Sequence, residues 1–169
     1  MKANYQLNEY DQAVSYAEKV LNQSKIDNKI TSDAYVIIAR SAIKTDNEGR
    51  AKEAYQEVEK TASGETAAEA MYYKAYFLNQ DGNYRQSNNV VQKLAKDFSS
   101  YKYYSAKGLI IMAKNFYNLD DAFQATYILE SVIENFSDFS EVTSEAQEEL
   151  TKIKAEQAKT NSSIDTEDN

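Results

Sequence analysis

The sequence predicts an all-α protein: antiparallel helix pairs stacked as a solenoid, about 3.5 pairs with a C-terminal capping helix. Two interleaved series of small residues, large apolar residues at helical spacing beside them, and the absence of proline carry that expectation. Ala13, Ala51, Ser87 and Ala125 recur at intervals of 38, 36 and 38 residues. Ala39, Ala75 and Ala113 recur at 36 and 38, each 12 residues ahead of a member of the first series. Small side chains at fixed intervals suit paired helices whose backbones approach closely, and a period of this length marks a repeat architecture. With no Pro and only 4 Gly, little interrupts long helices joined by short polar turns.

The elements follow in order. Lys2 to Leu7 reads as the stub of a first helix, and its partner spans about 9–23. Further helices are expected at about 31–45, 48–61, 66–80, 83–97, 103–118 and 121–135. Tyr35 with Ile38, Tyr55 with Val58, Val91 with Leu94, Leu109 with Met112 and Leu129 with Val132 each stand three apart, on one helix face. The breaks are Asp46-Asn47, Asp81-Gly82-Asn83 and Leu119-Asp120-Asp121, where short polar side chains can accept orphan N–H groups. Val142, Ala146, Leu150 and Ile153 make an apolar stripe on a helix of about 140–158. Glu141, Glu145, Glu148, Glu149, Lys152 and Lys154 cover its other faces, as a solenoid cap requires. The solenoid is expected over 1–159, with a disordered polar tail at 160–169. The short first helix suggests the C-terminal fragment of a longer array.

The segments "YDQAVSYAEKVL" from Tyr10, "GNYRQSNNVVQKL" from Gly82 and "GLIIMAKNFYNLDDAFQATYILESVI" from Gly108 resemble the tetratricopeptide repeat family. The resemblance covers about 2–137 and implies a right-handed solenoid of helix pairs. The family's inter-repeat proline is replaced by Lys25, Ser63, Ser99 and Ser137, and Lys74 stands where an apolar residue is usual. "ILESVIENFSDFSEVTSEAQEEL" is similar to the last repeat of envelope-associated members such as the Tol-associated periplasmic coordinator and the outer-membrane-assembly lipoproteins. That similarity implies a periplasmic or outer-membrane-associated setting.

Composition narrows function. The net charge of −8 disfavours nucleic acid and anionic membrane surfaces. No apolar run approaches the ~20 residues of a membrane-spanning helix, so direct membrane insertion is not expected. The chain has no Cys and no His, so the usual zinc, haem and iron–sulfur sites and the Ser–His and Cys–His pairs are excluded. No Gly-rich phosphate loop or calcium-loop pattern occurs, so no cofactor, metal or catalytic residue is assigned. Glu145 and Glu149 read as two solvated carboxylates, with nothing to separate their pKa values for acid–base work.

The expected function is therefore protein binding, with a protein or peptide as partner. Of 14 Tyr residues, Tyr10, Tyr35, Tyr55 and Tyr84 fall on repeat-core positions, where the ring packs and the hydroxyl reaches the surface. The resemblance implies that first-helix faces line a concave groove. Carried over, that face includes Lys2, Tyr5, Asp33, Arg40, Lys44, Glu69, Tyr72, Tyr76, Lys107, Ile110, Lys114 and Tyr117. Five cations stand there against two carboxylates, within an acidic chain. Arg40, Lys44, Tyr72, Tyr76, Lys107, Ile110, Lys114 and Tyr117 are the candidate binding residues, for an extended acidic segment. Val36 and Tyr73 occupy places where the family's carboxylate clamp is polar, so a chaperone C-terminus is not expected. The alternative is a structural solenoid segment of a larger envelope protein, serving self-assembly or intramolecular packing.

Overall fold

The computed structural model describes the backbone of residues 1–167 and the side chains of residues 1–159. Among them are nine helices and no strand: α1 (Lys2–Gln6), α2 (Tyr10–Leu21), α3 (Asn28–Lys44), α4 (Glu48–Thr61), α5 (Gly64–Gln80), α6 (Tyr84–Asp97), α7 (Lys102–Asn118), α8 (Ala122–Asn135) and α9 (Ser140–Glu167). The spans expected for α1 to α8 agree within three residues at each end. The largest difference, the start of α3, has a local cause. Asp27 accepts the Ile30 N–H at 2.8 Å and caps the helix a turn earlier than apolar spacing indicates. The tail expected at 160–169 lies outside the residues whose side chains are described.

One turn recurs. Asn8, Asp46, Gly82 and Asp120 have φ of 61°, 52°, 75° and 63°. Their intervals are those of the small-residue series. At each, the left-handed residue donates its N–H to a carbonyl three residues back: Tyr5, Ile43, Asn79 and Tyr117. The next N–H reaches five back, to Asn4, Ala42, Leu78 and Phe116. This paired closure satisfies last-turn carbonyls and reverses the chain at once. Asn47 and Asp121 then cap the following helix, accepting from the N–H groups of Arg50 and Gln124.

The chain divides into two compact units, Met1–Phe77 and Leu78–Asn169. In the first, α3 packs on α2 and α4, and α1 packs on α2 and α3. Ala13, Ala17, Ala34, Ala39, Ala51 and Val58 are completely buried there. In the second, α7 packs on α6, α8 and α9, and α8 packs on α9. Leu94, Ile110, Leu129, Val132, Val142 and Ile153 fill that core. All seven members of the two small-residue series are 0% exposed.

Gly108 marks a close approach of α7 to α6, since a Cβ there would meet Leu94 Cδ2 at 3.1 Å. Asn115, fully buried, donates to Ser87 Oγ and Asn88 Oδ1 at 2.8 Å each and accepts from Asn79 at 2.8 Å. Its amide is thereby satisfied without water. Among the described residues no helix is long and apolar enough to cross a membrane.

Candidate functional site

In the first unit a buried carboxylate ties α3, α4 and α5 together. Glu69 on α5 is 3% exposed. Arg40 on α3 holds it through both oxygens, with Nε 2.8 Å from Oε1 and Nη2 2.5 Å from Oε2. Tyr55 on α4 donates its hydroxyl to Oε1 at 2.8 Å. The Tyr55 ring stacks on Tyr73 at 4.2 Å between centroids. Burial, and then the Glu69 charge, raise the Tyr55 hydroxyl well above its ordinary pKa near 10. Burial also raises Tyr5, Tyr73 and Tyr76. Tyr55 thus departs from expectation, because its hydroxyl turns inward to Glu69 instead of reaching water. Lys44 is exposed, and Tyr72 and Tyr76 are half-buried.

In the second unit α7 faces α9. Tyr103 donates to Glu141 at 2.5 Å, Lys107 pairs with Glu145, and Tyr117 donates to Glu156 at 2.5 Å. Lys114 lies 3.8 Å from Glu145 and 3.6 Å from Glu149. Partners advance together along both helices, so one face of α7 reads one acidic face of α9 from end to end.

These positions obey the repeat. Lys2 pairs with Asp33, and 38 residues on from Lys2, Arg40 pairs with Glu69, 36 beyond Asp33. The same register leads from Arg40 through Tyr76 to Lys114, and from Glu69 through Lys107 to Glu145. Lys114 and Glu145 approach at the corresponding distance of 3.8 Å. Tyr76 and Lys107 are the places where this charge pattern lapses.

Three expectations need correction. Ile110 does not line an open face; it is 0% exposed, because α6, α8 and α9 enclose α7 and leave only a narrow strip. Glu145 and Glu149 are not solvated bystanders, since both engage α7 cations. The surplus of cations also disappears in the second unit: the Lys107 and Lys114 side chains are only 18% and 33% exposed, and each faces a glutamate. Treating α9 only as a cap hid these partners. Carrying the interval one step past Lys107 would have found Glu145. Tyr103 and Glu156, which extend the same ladder, lie off the positions singled out by sequence.

Arg40 and Lys44 are thus in the first unit with Tyr72 and Tyr76, while Lys107, Lys114 and Tyr117 are together in the second. No protein-family model matches the chain, and no curated protein does.

Proposed function

We propose that this chain is an interaction module of the tetratricopeptide type, binding acidic segments of a partner protein on its first-helix faces. The recurring left-handed turns and the packing of α1 on α3 and α7 on α9 support the repeat reading. The observation that carries the functional reading is the ladder from α7 to α9. There Tyr103, Lys107, Lys114 and Tyr117 hold four glutamates of a helix in the same chain. A surface that recognises carboxylates in cis has the chemistry to recognise them in trans: aromatic rings with hydroxyl donors, interleaved with cations. On the first unit Lys44, Tyr72 and Tyr76 are groups of the same kinds on α3 and α5, and Arg40 on α3 holds Glu69.

Binding of this kind is weak and salt-sensitive, because exposed charges are screened over about 8–10 Å at ordinary ionic strength. The test is calorimetric titration of a synthetic peptide copying residues 140–156 into the intact protein. Binding should weaken as salt is raised, and should fall further with Lys44→Glu and with Tyr72→Ala plus Tyr76→Ala. Absence of binding at low salt, or binding indifferent to all three changes, overturns the proposal.

A further inference from the structure

The outer face of α8 carries a feature that repeat packing does not require. Phe123 is 81% exposed and Tyr127 62% exposed. They lie one turn apart, opposite the buried Ala125, Leu129 and Val132. Stepping back by the repeat intervals puts Arg85, Gly49 and Asp11 at the place of Phe123, and Asn89, Glu53 and Ser15 at the place of Tyr127. None of the three equivalent helices carries an apolar side chain there, as suits a water-facing stripe. A single exposed apolar residue is ordinary, but two aromatics in register on one turn make a patch suited to a partner.

The rest of the stripe states the chemistry of that partner. It continues through Glu130 and Glu134, both exposed. At the place of Glu134, α6 has Lys96 and α4 has Lys60, so the charge is inverted on α8 alone. Helix α8 contains no Lys or Arg, and the exposed Asp120 and Asp121 precede it. Glu130 shares Lys154 at 2.8 Å, while Glu134 makes no ion pair among the described residues. The aromatic pair is therefore flanked by carboxylates at both ends.

We infer that this face is a second docking site, for an amphipathic helix of another protein with apolar anchors one turn apart and Lys or Arg flanking them. Aromatic side chains at the centre of a contact supply most of its energy, and the surrounding carboxylates select a cationic partner and speed its encounter. The site lies on the opposite kind of helix from the first-helix faces and takes the opposite charge, so it does not depend on the acidic-segment reading.

The probe is a 14-residue helical peptide with Trp and Leu one turn apart, flanked by four Lys, beside a control with Glu in place of Lys. The protein has no Trp, so the emission reports the peptide alone. The basic peptide should bind with a blue shift and the acidic control should not. Phe123→Ser with Tyr127→Ser leaves the net charge unchanged and changes two mostly exposed side chains; it should weaken binding by roughly tenfold or more with an unaltered circular dichroism spectrum. Glu130→Gln with Glu134→Gln should weaken it a few-fold and flatten its salt dependence. Unchanged affinity in the aromatic variant would show that only net charge attracts the peptide, and would overturn the inference. Equal binding of the control would also overturn it. So would self-association of the protein, or adsorption to uncharged lipid vesicles, that disappears with Phe123→Ser and Tyr127→Ser, because the occupant would then be a second copy or a membrane.

Discussion

At the residue scale, Glu69 shows how a buried charge is tolerated. Both its oxygens are occupied, by Arg40 and by the Tyr55 hydroxyl. Glu69→Ala strands a guanidinium and a buried phenol together. Because the Arg40 side chain is 39% exposed and can turn to water, the cost should be about 1–3 kcal/mol, below that of breaking a fully buried pair. Chemical denaturation measures it. The same cluster should make the fold alkali-sensitive. Tyr55 has its folded pKa raised above the ordinary value of 10.0, chiefly by burial. Its contribution is fully present below pH 10 and is lost above it, where the unfolded chain releases the proton and the folded chain keeps it. Stability should therefore decline above about pH 10, and Tyr55→Phe should reduce that slope. Spacing placed Tyr55 in the core but could not show where its hydroxyl goes. That depends on Glu69, 14 residues away on another helix, and no local pattern records such a contact. Asn115 hid for the same reason. Asn115→Ala should cost roughly 1–3 kcal/mol, because Asn79, Ser87 and Asn88 lose their shared partner.

At the element scale, helix positions were legible because two signals coincide in this sequence. Apolar spacing marks the helix bodies, and Asx or Gly residues mark the reversals. The left-handed residue within each reversal was less legible, since Asn8, Asp46 and Asp120 are not glycines. These residues tolerate the conformation better than most, at some cost. Asp46→Gly and Asp120→Gly should therefore stabilise slightly, while Gly82→Ala should destabilise by about 1 kcal/mol, read from thermal melts. Destabilisation by Asp46→Gly or Asp120→Gly, or a Gly82→Ala variant as stable as the parent, would refute a common geometry. The α7–α9 ladder makes a separate statement. Lys107→Glu should loosen α9, and adding Glu145→Lys should restore part of the loss. A double-mutant cycle without coupling would show that the ion pair contributes only packing.

At the scale of the molecule, the seven fully buried small residues tie the repeat register to the core. Ala75→Leu and Ala113→Leu should each overpack a helix crossing, at roughly 1–3 kcal/mol. Ending the chain at residue 139 should aggregate it, because Val142, Ala146, Leu150 and Ile153 would leave the apolar surface of α8 and α7 uncovered. The candidate face was only half legible. Spacing placed Lys107, Lys114 and Tyr117 on one face of α7 but missed their balance of charge, because α9 supplies the carboxylates that the groove was expected to seek from a partner. The central claim is that first-helix faces read acidic segments, and hydrogen exchange of the intact protein with and without the 140–156 peptide tests it most directly. Protection should rise on α3 and α5 around Lys44, Tyr72 and Tyr76, and α9 should exchange faster as the peptide competes for Lys107 and Lys114. Protection confined to α2, α4, α6 or α8, with α9 unmoved, would contradict it.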